Sequence, residues 1–454
     1  MPPGSCPWHP GCRSCIRRRS IRLRFVRRRD VTNPPEIVSE LSQDESPELD
    51  STEPEPLDQP PLEPRDGVPD VITTIAGLEE YAGRLAAGTG PLALDAERAS
   101  GYKYSQRAYL VQLRREGAGT ALIDPIYLPD LSVIQAATEG VEWILHAATQ
   151  DLACLAEIGL RPSVLFDTEL AGRLLGREKV GLAALVAAEL GEVLEKGHGS
   201  ADWSLRPLTS NQLRYAALDV ELLVELRDRM HAELEAAGKL AWAHEEFASL
   251  VHFTPRPRGD DAWRRTSGIH RLRKSRNLAV VRALWIARDD AARRSDIAQG
   301  RILPDAAIVA AAAALPTSRE ALGALREFSG RGQQRRLAGW WAAVSQAMAM
   351  PEDELPDASP PPVGPPPPRN WPERNPEGFA RLEAAKDAIG AILARIDMPA
   401  ENLLTPDLLR RLCWEPPVPA SQAGVEEFLR AGGAREWQVA LTAEVLTDAL
   451  SVAP

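Results

Sequence analysis

The chain has 454 residues and a formal net charge of −11, with 44% hydrophobic and 26% charged residues. At roughly 150 residues per domain, this corresponds to about three folded units, with enough apolar surface for several cores. The longest apolar run, residues 306–315, has ten residues, against the roughly 18 a spanning helix needs, so a membrane-spanning helix is excluded.

Charge is strongly partitioned at the N-terminal end. Residues 1–30 hold nine Arg and one Asp, a net of +8, and residues 31–70 hold twelve acids against Arg65, a net of −11. Neither stretch has hydrophobic periodicity and both carry several prolines, so 1–70 reads as a disordered leader, first basic and then acidic. Cys6, His9, Cys12 and Cys15 are zinc-compatible ligand types, but in this Pro- and Arg-rich setting an unstructured end is the better reading. With Cys154 and Cys413 the cysteines number five. An odd count without a secretory segment argues against a disulfide framework and for a reducing cytoplasm.

Order is expected from about Gly67. Strands are predicted over 71–75, 91–94, 109–113, 120–123, 142–146 and 164–168, from short β-branched or apolar runs bounded by turn residues. Helices are predicted over 78–85, 131–139 and 152–158, between 169 and 190, and from 210 to about 236. Three opening strands followed by alternating helix and strand give an α/β layer fold with a mixed sheet over 71–250.

Three acidic elements in this region carry chemistry. Residues two apart on a strand share a face, so Asp95 and Glu97 project together from the end of the apolar run Leu92-Ala93-Leu94. Asp151 opens a helix after the strand Trp143-Ile144-Leu145-His146, where a simple capping role is the plain alternative. Tyr215 and Asp219 stand at i and i+4, one turn apart on one helix face. Four carboxylates at strand and helix ends of one domain suit a cage for two hard divalent cations.

In this order Asp95-x-Glu97, Asp151 and Tyr215-x3-Asp219 resemble the three motifs of the tyrosine-bearing branch of the DEDD exonuclease superfamily. More specifically, the chain resembles the ribonuclease D family. The supporting stretches are Ala93-Leu94-Asp95-Ala96-Glu97, Ala121-Leu122-Ile123-Asp124-Pro125, Phe166-Asp167-Thr168, Asp202-Trp203-Ser204-x-Arg206-Pro207-Leu208 and Gln212-x-x-Tyr215-Ala216-Ala217-Leu218-Asp219-Val220. The resemblance covers essentially all of 71–250 and implies a ribonuclease H-like exonuclease domain, a mixed sheet flanked by helices.

The resemblance also implies roles. Asp95 would bridge two ions, Mg²⁺ or Mn²⁺, with Glu97 and Asp219 completing one and Asp151 holding the other. Tyr215 would orient the attacking water, since a phenol with an ordinary pKa of about 10 is a poor base at neutral pH. His146 and Gln150 flank the second motif and are candidates for touching the terminal nucleotide. Lys196, His198 and Arg206 are candidates for phosphate contacts, and Trp203 either stacks a base or packs. The implied reaction is 3′→5′ trimming of RNA, tRNA precursors in particular, with release of nucleoside 5′-monophosphates. A DNA exonuclease and a non-catalytic nucleic-acid-binding protein are the alternatives.

Downstream, residues 255–345 hold 18 Lys and Arg against eight Asp and Glu, a net of +10 inside an acidic protein. The pattern is all-helical. Arg282-x-Leu284-Trp285-x-x-Arg288-Asp289, Ile302-Leu303-Pro304-Asp305 and Leu315-Pro316-Thr317-Ser318 resemble an HRDC domain over 260–348. That likeness implies an auxiliary nucleic-acid-binding bundle, with Arg271, Arg273, Lys274 and Arg276 as candidate phosphate contacts. Residues 351–376 contain eleven prolines and read as a semi-rigid linker. The amphipathic stretch 378–396 and Asn402-Leu403-Leu404-Thr405-Pro406 then resemble a second, divergent HRDC-like repeat over 377–454. It would either close around RNA or merely pack. The expected architecture is therefore an α/β exonuclease domain followed by all-α helical bundles.

Overall fold

The computed structural model describes residues 62–451, apart from 195, 196, 198–200, 256, 258 and 360–363. The cysteine and histidine cluster at 6–15, Lys196 and His198 lie outside the described residues.

Six strands form one sheet in the order β1-β4-β3-β2-β5-β6. They are β1 (Val71–Ile72), β2 (Thr89–Arg98), β3 (Ala108–Glu116), β4 (Gly119–Ile123), β5 (Glu142–Leu145) and β6 (Val164–Asp167). β2–β3 and β3–β4 pair antiparallel, whereas β1–β4, β2–β5 and β5–β6 pair parallel, giving a mixed sheet. β2 lies inside the sheet and is covered on both faces, which is why Leu92, Ala93 and Leu94 are consecutively apolar and fully buried. Helices α1 (Ile75–Ala87), α2 (Ser132–Ala137) and α3 (Leu152–Glu157) belong to one side. There Leu92, Leu94 and Ala96 share a core with Leu78, Tyr81 and Leu155.

On the other face α6 (Ser210–Glu221) and α7 (Leu223–Ala236) follow α4 (Thr168–Leu174) and α5 (Leu182–Leu190). Ala93 and Ile144 pack here against Val220 and Leu223. A single helix was expected over 210–236. The structure instead breaks it at Leu222 (φ −109°, ψ 4°), where consecutive residues are pulled into different cores. No Gly or Pro marks that break, so only packing produces it. A further helix, α8 (Leu240–Val251), closes the domain and packs Phe247 on Phe166.

The end of the expected disordered leader is also ordered. Leu62 donates its backbone N–H to Val193, Glu63 pairs with Arg214, and Arg65 pairs with Glu225. Glu63 and Arg65 acquire fixed partners because their charges meet opposite charges on α6 and α7, and Asp66 pairs with Arg114 on β3.

The basic region is a helical bundle built from α9 (Ser275–Ser295), α10 (Gln299–Ile302), α11 (Asp305–Ala314), α12 (Arg319–Gly323) and α13 (Arg331–Ala349). Its core contains Leu284, Ile308, Phe328, Trp340 and Val344. The last bundle comprises α14 (Trp371–Arg374), α15 (Pro376–Ile396), α16 (Ala400–Leu403), α17 (Pro406–Trp414), α18 (Gln422–Ala431) and α19 (Glu436–Leu450). Its core is continuous with that of α4, α7 and α8. The proline-rich stretch read as a linker differs from that expectation at its C-terminal end. Trp371 is fully buried and donates its indole N–H to the Pro366 carbonyl, so residues 366–376 are part of the bundle. Among the described residues no helix is long and apolar enough to cross a membrane.

Candidate active site

β2 delivers the first two carboxylates. Because Leu92, Leu94 and Ala96 point into the α1 side, Asp95 and Glu97 must point to the α6 side. α6 meets them there. Its start is set by a capping box between Thr209 and Gln212, which fixes the helical register of Tyr215 and Asp219. Carboxylate oxygens of Asp95, Glu97 and Asp219 all lie within 4.8 Å of one another. The Tyr215 hydroxyl is hydrogen-bonded to Asp219.

Asp151 reaches the same cavity by a different route. After β5 the backbone turns through Ala147 in the left-handed region (φ 58°) into a 3-10 turn, and Asp151 follows at the N-cap position of α3. Its side chain makes no capping hydrogen bond, so the plain capping reading does not describe it. The strained turn is held by Asp167, which accepts from the N–H groups of Ala147 and Ala148 (3.1 and 2.8 Å) and also of Glu169 and Leu170. Asp151, only 5% exposed, instead faces Arg98, whose Nε lies 3.6 Å from Asp151 Oδ1.

These residues line one cavity of about 460 Å³, together with His146, Gln150, Ser100 and Gly101. Its electrostatics follow from crowding acids where water is scarce. Burial raises the Asp95 pKa above the ordinary carboxylate range, against the Ala96 N–H and Arg98, which lower it. Burial first, and then Asp95, Asp219 and Asp151, push Glu97 up to about 10. Asp151 and Asp219 are both raised well above the usual value by burial and by Asp95. The Tyr215 phenol is raised as well, by burial and then by Asp219. Such a group of self-repelling, oxygen-only donors fits hard divalent cations, whose charge offsets both the repulsion and the desolvation. Asp95, Glu97 and Asp219 form a candidate metal-binding triad on this geometry.

The other predicted contacts divide. His146 Nδ1 lies 2.9 Å from Thr168 Oγ1, and burial lowers the ring's pKa to about 4, so it lines the cavity as a neutral group. Gln150 Oε1 accepts from Arg98 at 3.4 Å. Trp203 is fully buried among Tyr109, Leu110 and Ala216, so it packs and has no face for a base. Arg206 is likewise not a phosphate contact. Its guanidinium is held by buried Asp124 (2.5 and 2.9 Å) and by the carbonyls of Trp203 and Tyr109. Arg276 is committed to the carbonyls of Ala347 and Met350 at the end of α13. Arg271, Arg273 and Lys274 are exposed just ahead of α9 and form no ion pair among the described residues.

Two residues that hold the site carboxylates were not anticipated. Arg98 directly follows the first motif and carries no spacing signal of its own. Gln112 donates to Asp95 Oδ2 at 3.0 Å and is fully buried. A lone amide inside the apolar run 109–113 was the signal that could have found it, because a buried polar side chain needs a partner.

Comparison with known proteins agrees with this arrangement. A 3′-5′ exonuclease family model matches residues 69–235, an HRDC domain model matches 277–344, and a 3′ to 5′ exonuclease C-terminal domain model matches 364–450. Ribonuclease D of Gluconacetobacter diazotrophicus is 33% identical over 64% of this chain and 75% of its own length. Against two other ribonuclease D sequences, at 34% identity, the match spans 64% and 62% of the relative's length, under two thirds. The crystal structure of a protein from Bifidobacterium adolescentis is similar over 87% of this chain and all of that one, with 38% identity and a TM-score of 0.80. That of Escherichia coli RNase D, an exoribonuclease involved in structured RNA processing, is similar over 84% and 98%, with 26% identity and a TM-score of 0.61.

Proposed function

The chain belongs to the ribonuclease D family, and on that footing we propose that it is a 3′→5′ exoribonuclease that releases nucleoside 5′-monophosphates. Its substrates are the 3′ extensions of structured RNA precursors, those of tRNA above all, met in the cytoplasm. The observation that carries the reading is the approach of Asp95, Glu97 and Asp219 to within 4.8 Å, with Asp151 in the same cavity. The work described for the E. coli relative supports the choice of structured RNA.

Asp95, Glu97, Asp151 and Asp219 would hold two divalent cations, Mg²⁺ or Mn²⁺. Ions bound there supply water activation and neutralise charge on the leaving 3′-oxygen. The chain's own groups do the rest. Tyr215, whose pKa lies above the ordinary phenol value, stays protonated; its one O–H is given to Asp219, which fixes its direction, and its oxygen accepts from the attacking water and so aligns it. Gln112 holds Asp95 in orientation through its amide N–H. Neutral His146, and Gln150 beside Asp151, offer polar contacts to the terminal nucleotide without adding charge. Arg271, Arg273 and Lys274 attract the phosphate backbone farther along the strand.

Digestion of a 5′-labelled RNA with a short single-stranded 3′ tail tests this, with a DNA strand of the same sequence alongside. Stepwise shortening from the 3′ end in Mg²⁺ or Mn²⁺, lost in Asp95→Ala, is the expected result. DNA cut equally well would move the assignment to a DNA exonuclease. Binding of both strands without cleavage would make the protein a binding module.

A further inference from the structure

The connection between β2 and β3, residues 99–107, leaves the cavity directly after Glu97 and Arg98, and Ser100 and Gly101 form part of the cavity wall. This segment is not secured by the exonuclease domain alone. Ala99 and Tyr102 pack with Tyr109, Leu110 and Trp203 in the exonuclease core, whereas Tyr104 packs into the core of the HRDC bundle. The Tyr104 hydroxyl donates to both carboxylate oxygens of Asp289 (3.0 and 3.1 Å), and Asp289 is itself buried and held by Arg293 and Gln299. The Ser105 N–H donates to Asp296 Oδ1 at 2.9 Å. The Ala298 N–H donates to the Tyr102 carbonyl, and Arg301 donates to the Gly101 carbonyl at 2.8 Å while covering the Tyr102 ring at 4.1 Å.

Resting on the exonuclease reading above, we propose that the HRDC bundle is a structural part of the active site. Through Asp289, Asp296, Ala298 and Arg301 it clasps residues 101–105 and so positions the cavity wall at Ser100 and Gly101. The physical case is the distribution of anchors. The segment has one tyrosine in each core, and a wall residue, Gly101, is bonded through its own carbonyl to an HRDC side chain. Releasing the clasp lets the wall move, and small displacements of substrate-facing backbone are costly in rate. Tyr104 and Arg301 are positioning residues in this scheme and touch no substrate.

The test uses two substrates, a ribonucleotide dimer, which has a single phosphodiester, and a long single-stranded RNA, whose many phosphates draw on the basic groups of the HRDC region. The full-length double variant Tyr104→Phe/Arg301→Ala keeps the Tyr104 ring in its core and alters only an exposed arginine, and an unchanged melting temperature of the HRDC bundle checks its folding. Its kcat/KM on the dimer is expected to fall about tenfold, with Tyr104→Phe alone intermediate. Its Kd for the long RNA in EDTA should stay within about twofold of wild type. Wild-type turnover of the dimer by the double variant overturns the proposal, whether or not RNA binding weakens. A wild-type enzyme inert on every strand would instead overturn the exonuclease reading, and the proposal with it.

Discussion

Arg98 Nε lies 3.6 Å from Asp151 Oδ1, which sets a guanidinium beside a cavity carboxylate that comes from neither β2 nor α6. It also lowers the pKa of Asp95, Glu97 and Asp151, opposing the burial that raises all three. These three acids are therefore kept closer to their charged, cation-binding form than burial alone allows.

The direction of pH dependence follows from this. Folded-state pKa values above the ordinary carboxylate range mean that the acids lose protons only as pH rises, so activity should climb on the acid side. Arg98→Ala removes the lowering influence and moves that limb to higher pH. Profiles of kcat/KM against pH for the two proteins, at one fixed Mg²⁺ concentration, check it. A limb left in place would show that Arg98 only packs.

Asp95→Asn separates charge from shape, since the amide oxygen still accepts from Gln112. Removing one of several mutually repelling buried charges should raise the melting temperature of the metal-free protein by a few degrees, about 2–4 °C per kcal/mol gained. The same variant should lose the Mg²⁺-dependent rise that the wild type displays, together with 10²-fold or more of kcat, as an order of magnitude. Thermal scans with and without Mg²⁺ read both effects.

Tyr215→Phe keeps a ring beside Trp203, 6.3 Å away between centroids, and deletes only the hydroxyl. If that hydroxyl orients water, kcat falls by about 10²–10³ with KM little changed. Because the phenol is raised above its usual pKa, the wild type should show no loss of rate from tyrosine ionisation up to about pH 10. Single-turnover rates across that range test both statements.

The arginines divide into a staple and a contact group. Arg206→Ala leaves Asp124, which is 1% exposed, without its countercharge and with only the Ile126 N–H. Stability should then drop by about 3–5 kcal/mol, while the salt dependence of RNA binding stays put. Replacing Arg271, Arg273 and Lys274 together should do the reverse, leaving stability alone and reducing the slope of log K against log salt by about 2. Denaturant melts and salt titrations of a labelled RNA distinguish the two sets.

The chemistry of the cavity was legible in the sequence because short-range rules govern it. Strand alternation alone puts Asp95 and Glu97 on one face, and one helical turn alone puts Tyr215 over Asp219. The apolar run before Asp95 already reports that β2 is covered on both sides. Those features depend on the chain's local geometry, which every residue carries with it.

What the chain could not disclose locally is who meets whom. Arg206, Trp203 and Arg276 look like nucleic-acid contacts by residue type, yet Asp124, the core around Tyr109 and the end of α13 consume them. Arg98 acquires its role only because α3 brings Asp151 up beside β2. The helix expected over 210–236 breaks at Leu222 without a Gly or Pro to announce it. The wall at Ser100 and Gly101 depends on Asp289, Asp296 and Arg301, nearly 200 residues away along the chain. Periodicity encodes which face of an element is buried, whereas the partner of a charged or aromatic side chain is chosen by long-range packing, and only the tertiary structure makes that choice.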